Sequence, residues 1–237
     1  MIRDTKLTSN TGINLVFFTG AGISAESGVP TYRGKGGIWE QYDWQAVASQ
    51  EAFNRNPRTV IAFHHKRRKW LRTCKPNGAH EVIADLETKV PVTVITQNID
   101  GLHQDAGSQN VIELHGSLWR SRCEACHTVI HSKFKQMVDN RCNCGRWLRP
   151  DITWFSDPIN QQVFDSARKA VESCTHFFSV GTSGVVWPAA GIPSLALEAG
   201  VVCTDIDIDP NKEIPAGFTR LTGKASEILP ELFQLSE

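Results

Sequence analysis

The sequence predicts an α/β fold, in which a Rossmann-like parallel sheet carries helices on both faces. Five short apolar runs rich in Val, Ile or Phe each end at glycine or a polar cluster, as buried strands do. Segments with the apolar spacing of helices lie between several of these runs, and strands that alternate with helices form parallel sheets. The predicted strands are 13–20, 92–96, 110–116, 175–183 and 200–209, and the predicted helices are 76–89, 158–174 and 189–200.

Two stretches interrupt this alternation and predict a second, smaller domain. Residues 34–75 have helical character and contain no run typical of a strand. Residues 117–150 contain four of the seven cysteines and show little apolar periodicity. We expect these two insertions to form the small domain together, which leaves 1–33, 76–116 and 151–237 for the Rossmann-like domain. A chain of 237 residues can bury a core of this size.

Charge and hydropathy narrow the class of protein further. Lys plus Arg and Asp plus Glu both number 25, so the formal net charge is zero, which argues against a nucleic-acid partner. The first residues, MIRDTKLTSNTGINLVFF, lack the apolar run and the cleavage site of a signal peptide. No apolar stretch has the length of a membrane span. We therefore predict a cytoplasmic protein with no membrane partner, whereas its oligomeric state is left open.

The first predicted strand runs directly into a glycine-rich turn, FFTGAGISAESGVPTYRG. Gly20 and Gly22 let the backbone turn tightly and approach a ligand, and a helix N-terminus just after them favours a pyrophosphate. A plain structural turn is the alternative interpretation. The dehydrogenase fingerprint also expects an acidic residue at the end of a second strand. Here Glu40 and Asp43 lie in a stretch without a strand, so the turn predicts a dinucleotide cradle without hydride transfer.

Polar residues cluster where the predicted strands end. The run VTVIT is followed by Gln97, Asn98 and Asp100, and the next strand ends at His115. Ligands of open α/β sheets bind beyond the carboxyl ends of the strands, so these side chains should face the same crevice as the glycine turn. Two more strands end in Gly181, Thr182 and Ser183, and in Asp207 and Asp209. A histidine is a natural general base for a hydroxyl, although a packed histidine at a strand end is also common.

Four cysteines within 22 positions indicate a metal site. Cys123-x2-Cys126 is separated by fifteen residues from Cys142-x-Cys144, and four thiolates suit tetrahedral zinc. An odd total of seven cysteines argues for metal over disulfides in a reducing compartment. Four unliganded cysteines in a polar loop are the alternative, but free exposed thiols are liabilities.

Taken together, these motifs resemble the sirtuins, which are NAD-dependent protein lysine deacylases. The motifs are GAGISAESGVPTYR, TQNIDGLHQDAG, ELHG, the two cysteine pairs and VGTSGVVWPAA, in this order and spacing from about Phe17 to Ala225. The resemblance implies NAD as co-substrate and a structural zinc away from the chemistry. It also implies the reaction: the acyl-lysine carbonyl oxygen attacks C1′ of the nicotinamide ribose, nicotinamide leaves, and a histidine deprotonates a ribose hydroxyl that attacks the imidate. The products are nicotinamide, free lysine and 2′-O-acyl-ADP-ribose.

The resemblance further implies roles for individual residues. The catalytic residues are His115, Asn98 and Asp100. The NAD-binding residues are Gly20, Ala21, Gly22, Ser24, Ala25, Pro30, Tyr32, Arg33, Trp39, Gln97, Asn98, Ile99, Asp100, Gly181, Thr182, Ser183, Asp207, Ile208, Asp209 and Ala225. The substrate contacts are Ala48, His64, Arg67, Ile152, Trp154 and Phe155. The segment RPDITWFSDPIN, 149–160, matches the part of the family that pairs with the substrate peptide by strand addition.

The acyl pocket resembles that of the class III, desuccinylase- and demalonylase-like branch. That branch carries a Tyr-x-x-Arg pair on a helix, with an alanine nearby that makes room. Here Arg67 falls on the arginine position and Ala48 on the alanine position, whereas His64 replaces the tyrosine. Arg67 could bind a succinyl or malonyl carboxylate bidentately, although a solvated basic helix face is the alternative. We therefore expect a deacylase that removes acetyl and acidic acyl groups from acyl-lysine proteins or peptides.

Other functions stay open on the sequence alone. An NAD glycohydrolase or ADP-ribosyltransferase would use the same bond cleavage with water or another acceptor. A non-catalytic NAD-sensing module would bind without turnover, but the presence of His115, Asn98 and Asp100 together counts against it. A zinc-dependent nucleic-acid protein is disfavoured by the zero net charge.

Overall fold

The computed structural model of the chain describes residues 12–34, 36–131, 133 and 140–233. Its strands are β1 (Leu15–Thr19), β2 (Val92–Thr96), β3 (Val111–Glu113), β4 (Gly116–Cys123), β5 (Val129–His131), β6 (Leu148–Ile152), β7 (His176–Val180), β8 (Val202–Asp207) and β9 (Thr219–Thr222). Its α-helices are α1 (Ala21–Ala25), α2 (Ile38–Gln41), α3 (Trp44–Val47), α4 (Gln50–Arg55), α5 (Pro57–Leu71), α6 (Gly78–Glu87), α7 (Leu102–Ala106), α8 (Gln161–Ser173), α9 (Ile192–Glu198) and α10 (Ala225–Phe233).

The main sheet has six strands in the order β3-β2-β1-β7-β8-β9. Every adjacent pair in it is parallel. Strand β1 lies at its centre, and the order reverses direction along the chain between β1 and β7. Such a switch point opens a crevice at the carboxyl ends of the strands. The predicted α/β fold class is therefore confirmed.

Strand β1 is buried on both faces because its side chains alternate between two cores. Leu15 and Phe17 pack with α6 and α10 on one face, whereas Val16 and Phe18 pack with α8 and α9 on the other. The ring of Phe17 stacks on that of Phe178 at 5.0 Å between centroids. A strand covered on both faces must be apolar throughout, which is why this run has no polar alternation.

The helical insertion and the cysteine segment share a third core. Phe53 and Ile61 of the insertion pack with Leu118 of β4 and Trp154, which follows β6. Helix α5 begins where Asn56 caps it: the Asn56 side chain accepts a hydrogen bond from the Thr59 backbone N–H at 3.3 Å, and proline occupies the first turn. The second sheet is antiparallel, in the order β5-β4-β6. The domain boundaries drawn from the sequence stay a prediction.

The structure differs from the sequence prediction in several places, and strands β4, β5 and β6 and helices α7 and α10 were not predicted. The predicted strand 110–116 ends at Glu113, and the chain enters the second sheet at Gly116, which has φ of +75°. Strand β9 was not predicted, because its sequence TRLT is short and three of its four residues are exposed. The predicted helix 189–200 begins as a 3₁₀ turn, Ala189–Gly191, and becomes α-helical only at Ile192.

None of the helices within the described ranges is long and apolar enough to cross a membrane. The absence of a signal peptide was judged on residues 1–18, of which 1–11 lie outside those ranges.

Candidate active site

A cavity of about 350 Å³ opens at the carboxyl ends of the central strands. Its wall contains most of the residues predicted for the site. These are Gly20, Ala21, Gly22, Tyr32, Arg33, Trp39, Ala48, His64, Arg67, Gln97, Asn98, Ile99, His115, Ile152, Trp154, Phe155, Gly181, Thr182, Ser183, Asp207 and Ile208. The wall also includes Thr31, Val186 and Trp187, and it includes Thr153, Asp157 and Ile159 from the predicted peptide-pairing segment 149–160, none of which was assigned individually. The predicted residues outside the wall are Ser24, Ala25, Pro30, Asp100, Asp209 and Ala225.

Two backbone turns meet at one end of the cavity. The Gly20 N–H donates to Val180 O at 3.0 Å, and the Gly22 N–H donates to Gly181 O at 2.9 Å. A side chain at Gly22 would place its Cβ 2.6 Å from the Gly181 Cα, so glycine is required for this approach. Gly20, Gly22 and Gly181 thus approach one another through backbone atoms, and we call the surface that they form the backbone cradle.

Ser24 and Asp100 lie directly behind the wall and hold Asn98 in it. The Ser24 hydroxyl donates to Asp100 Oδ2 at 2.9 Å. The Asn98 amide donates to Gly20 O at 2.9 Å and to Ser24 Oγ at 3.2 Å. Burial raises the pKa of Asp100, which hydrogen bonds from the Leu102 N–H and from Ser24 oppose. Asn98 and Asp100 thus connect the glycine turn after β1 to the end of β2. Of these two residues, Asn98 borders the cavity and Asp100 does not.

Two buried histidines that the sequence analysis missed continue this network away from the cavity. His80 Nε2 lies 3.5 Å from Ser24 Oγ, and the His80 ring packs on the His103 ring with 4.8 Å between centroids. His103 Nε2 lies 3.0 Å from Thr19 Oγ1. Burial lowers the pKa of His80 to about 4 and that of His103 well below its usual value. The signal was present: His80 precedes Ile83 by three positions, which places a polar residue on the apolar face of the predicted helix.

His115 lies in the connection between the two sheets and borders the cavity. Its Nδ1 is 3.0 Å from Gln97 O. A carbonyl oxygen only accepts hydrogen bonds, so Nδ1 carries the proton and Nε2 keeps its lone pair. Burial lowers the pKa of His115, and the hydrogen bond to Gln97 opposes that shift. The ring is therefore neutral at neutral pH, oriented, and able to accept a proton at Nε2.

At one end of the cavity, α5 contributes His64 and Arg67 on one helical face. Arg67 donates to the Tyr32 hydroxyl at 3.0 Å and lies 5.1 Å above the Tyr32 ring. The His64 ring is stacked against Trp154 at 6.2 Å between centroids. Neither ring nitrogen of His64 has a hydrogen-bond partner within the described part of the chain, and an unmet buried polar group typically costs about 1–3 kcal/mol.

At another part of the wall, Thr182 and Asp207 are supported by a lysine. Lys212 Nζ lies 2.6 Å from Asp205 Oδ1 and 3.3 Å from Asp207 Oδ2. Ser179 Oγ bridges Thr182 Oγ1 at 2.9 Å and Asp205 Oδ1 at 2.8 Å. Lys212 therefore fixes the Asp207 side chain beside the cavity, where its carboxylate oxygens can accept hydrogen bonds from hydroxyl groups.

The four predicted metal ligands come together at one end of the antiparallel sheet. The Sγ atoms of Cys123, Cys126, Cys142 and Cys144 all lie within 4.8 Å of one another. Two of the pairs are separated by 3.5 Å and 3.4 Å. Tetrahedral zinc–thiolate bonds of about 2.3 Å place sulfurs about 3.8 Å apart, so the four thiols fit a structural zinc ion. None of the four borders the cavity described above.

Comparison with known proteins gives one consistent result. The family model described as the Sir2 family matches residues 20–188. The chain is 46% identical over 222 residues to NAD-dependent protein deacylase 2 of Pyrobaculum aerophilum, which covers 92% of this chain and 89% of that protein. It is 38% identical to a triple variant of a Sir2 homologue in complex with 2′-O-acetyl-ADP-ribose, with a TM-score of 0.85 and coverage of 99% of this chain and 93% of that one. It is 33% identical to Sir2Af2 bound to a myristoylated histone peptide, with a TM-score of 0.72 and coverage of 98% and 92%.

Proposed function

The chain belongs to the Sir2 family of NAD-dependent protein deacylases, and we propose that it removes both acetyl and acidic acyl groups from protein lysines. The acyl group passes to ADP-ribose, which gives nicotinamide, free lysine and O-acyl-ADP-ribose. Succinyl and malonyl are the acidic groups that we assign, as in the class III branch. The observation that carries the acidic specificity is an arginine, Arg67, in the wall of the cavity that also contains His115.

The cavity offers each part of NAD a matching surface. The turns at Gly20–Gly22 and Gly181 suit the pyrophosphate, because only backbone lies close there. Asp207, with Thr182 and Ser183 nearby, suits the hydroxyls and the base of adenosine. Gln97 and Asn98 suit the nicotinamide ribose, since both border the cavity beside His115. NAD supplies the glycosidic bond whose cleavage releases nicotinamide.

His115 acts as the general base of the acyl transfer. Its Nδ1–H is held by Gln97 O, so Nε2 is aimed by a fixed ring and can take the proton of a ribose hydroxyl. Asn98 positions the ribose, and its own amide is fixed by Gly20 O and Ser24 Oγ. Asp100 acts behind Asn98 by holding Ser24. A preorganised polar wall of this kind stabilises charge that develops when the glycosidic bond breaks.

Arg67 supports the acidic acyl groups. Its guanidinium donates to Tyr32, which leaves further N–H groups for a carboxylate, and an arginine can bind a carboxylate bidentately. Ala48 contributes a small side chain to the same wall, which leaves room for an acyl chain longer than acetyl. The substrate peptide would pair with the backbone of 149–160, the segment that places Ile152, Trp154 and Phe155 in the cavity wall.

The domain assignment is part of the proposal. Residues 1–33, 76–116 and 151–237 would form the NAD-binding domain. Residues 34–75 and 117–150 would form the small domain, which carries Arg67 and the zinc ligands. Phe53 and Ile61 of the first insertion pack in one core with Leu118 of the second, which supports the grouping of the two insertions, and Val29 and Trp154 of the NAD-binding domain complete that core.

A side-by-side turnover assay tests the function. The protein and NAD are mixed with matched peptides that carry acetyl-lysine or succinyl-lysine, and nicotinamide and deacylated peptide are measured by mass spectrometry. Arg67→Met should lower succinyl turnover far more than acetyl turnover. Lys69→Met is the matched control, because Lys69 is an exposed cation on the same helix. Nicotinamide release at the same rate without peptide would instead indicate a glycohydrolase, and NAD binding without turnover would indicate a sensing module.

A further inference from the structure

A buried arginine joins the loop that carries two of the predicted zinc ligands to the segment that would pair with the substrate peptide. Arg149 lies in β6, and only 2% of its side chain is exposed. We propose that Glu124, which lies between Cys123 and Cys126, is a positioning residue for the substrate peptide and acts through Arg149. This inference rests on the proposed deacylase function, and it assigns to peptide binding a residue that lies outside the cavity wall.

On one side, the Arg149 guanidinium holds the turn that follows β6. Its Nη2 donates to Ile152 O at 3.0 Å and to the Asp157 carboxylate. Asp157 Oδ2 also accepts a hydrogen bond from the Trp154 N–H at 3.1 Å, and the Asp157 N–H donates to Trp154 O at 3.0 Å. The guanidinium carbon lies 3.7 Å from the centre of the Trp154 ring. Arg149 therefore fixes the backbone of residues 152–157, most of which border the cavity.

On the other side, the same guanidinium contacts both insertions. Its Nη1 donates to Glu124 Oε1 at 3.2 Å and to the Gln50 side chain. The Gln50 amide donates in turn to Glu124 Oε2 at 3.1 Å and to Asn54 Oδ1 at 2.8 Å. Gln50 is the first residue of α4, so a closed triangle of hydrogen bonds connects α4, the cysteine loop and β6.

Glu124 supplies part of the negative charge that the buried guanidinium requires. A buried cation is costly unless anions face it, and Glu124 and Asp157 are the two carboxylates that pair with Arg149 within the described part of the chain. Arg149 Nε forms no hydrogen bond within that part, so the two Nη groups set the orientation of the guanidinium. Asp157 belongs to the turn itself, whereas Glu124 lies in a loop that bound zinc would fix through its cysteines. Glu124 thus anchors Arg149 from outside the peptide-pairing segment.

The contacts of this network predict an effect on the peptide and not on the nucleotide. Strand β6 lies at the edge of the antiparallel sheet, and an extended peptide can add to such an edge. Thr153 follows β6 and donates its N–H to His115 O at 2.9 Å. Gln50, Glu124 and Arg149 do not border the cavity, and the backbone cradle is formed by glycines that follow β1 and β7. A displaced guanidinium should therefore weaken peptide binding and leave ADP-ribose binding unchanged.

The test measures the binding of peptide and nucleotide separately. The Kd of a fluorescently labelled acetyl-lysine peptide is measured by anisotropy with ADP-ribose in place of NAD, so that no turnover occurs, and the Kd of ADP-ribose is measured by calorimetry. Glu124→Gln keeps the shape of the side chain and removes its charge, so the peptide Kd should rise roughly threefold to tenfold while the ADP-ribose Kd is unchanged. Glu51→Gln is the matched control, because Glu51 is an exposed carboxylate next to Gln50 that faces Arg55 at 3.9 Å.

A second variant tests the route through Arg149. Arg149→Lys keeps the charge but loses the planar fork that donates to both sides, so it should raise the peptide Kd at least as far as Glu124→Gln does. Because Glu124 acts through Arg149, Glu124→Gln should add little in the Arg149→Lys background. Metal analysis and the melting temperature show that each variant is folded and retains its zinc.

An unchanged peptide Kd in folded, zinc-containing Glu124→Gln would overturn the inference, and so would an equal rise in Glu51→Gln. Equal weakening of peptide and ADP-ribose binding would also overturn it, since the substitution would then act on the whole fold. Fully additive effects of Glu124→Gln and Arg149→Lys would overturn the route through Arg149. A wild-type protein that turns over no acyl peptide would overturn the proposed function, whereas peptide binding that Glu124→Gln weakens would still support this inference.

Discussion

Replacing Gly181 with alanine should separate the two turns that form the backbone cradle. Gly181 has φ of +59°, and a Cβ there would lie 2.5 Å from the Ile23 N and 2.6 Å from both the Gly22 Cα and its carbonyl carbon. These neighbours are backbone atoms in the turn after β1, so no side chain can rotate away. Ordinary contacts begin near 3.4 Å, and the turns would have to part by about 1 Å.

Gly184 isolates the steric part of this effect, because it belongs to the same loop. It has φ of +69°, but a Cβ there would meet nothing within 4 Å. Both alanine variants carry the strain of a left-handed backbone, which costs roughly 1–2 kcal/mol. Only Gly181→Ala adds overpacking, which typically costs about 1–3 kcal/mol. A difference of about 2 kcal/mol corresponds to a Tm about 4–8 °C lower than that of Gly184→Ala.

Calorimetry and titration with ADP-ribose give the two measurements. A displacement of about 1 Å in a binding site can cost about a hundredfold in function, so Gly181→Ala should bind ADP-ribose far more weakly than Gly184→Ala. Equal melting temperatures and equal affinities for the two variants would refute the close approach of the turns and the cradle that we infer from it.

Three further predictions concern stability. His80 has a lowered pKa in the folded chain, so the unfolded chain binds more protons below about pH 6.5, and stability falls as the pH falls. With a folded pKa of about 4, His80 alone should contribute about 2 kcal/mol to the loss of stability between pH 7 and pH 5 in urea unfolding, and His80→Gln should reduce the loss by that amount. The protein should contain about one zinc ion per chain, and a strong chelator or Cys142→Ser should remove it. Metal analysis measures this loss, and faster hydrogen exchange should show that the antiparallel sheet becomes less stable. A metal-free protein with full exchange protection would contradict the prediction. Arg149→Met should lower the free energy of unfolding by about 1–3 kcal/mol, because it leaves the partly buried carboxylate of Asp157 without its ion-pair partner, and no measurable loss would argue against that ion pair.

Local sequence patterns predicted the central strands of the sheet, because burial on both faces permits only apolar residues there. The runs LVFF and VTVI are apolar throughout because both faces of the central strands are covered. The four-cysteine spacing predicted a cluster that the fold brings within 4.8 Å. Strand β9 could not be predicted in this way, since a short edge strand with exposed side chains has no such pattern.

The sequence predicted which residue types gather at the strand ends but not how deep each lies. Asn98 and Asp100 are two positions apart, yet Asn98 borders the cavity and Asp100 lies behind it, bonded to Ser24. That difference follows from the turn after β2, because Asp100 Oδ1 accepts the Leu102 N–H at 2.9 Å and is held away from the cavity. His80 and His103 join the same network from two different helices, and no spacing in the chain relates them.

The sequence alone determined the α/β class, the zinc ligands and the family, because these depend on residue types at short spacing and on motifs kept in order. The tertiary structure decided the surroundings of each group. His64 is a basic residue within a basic run of the sequence, and only packing against Trp154 and Phe63 makes it a buried, neutral ring without a partner. Burial and hydrogen bonding depend on atoms that are distant along the chain, and therefore the charge and the hydrogen bonds of such a side chain are decided only in three dimensions.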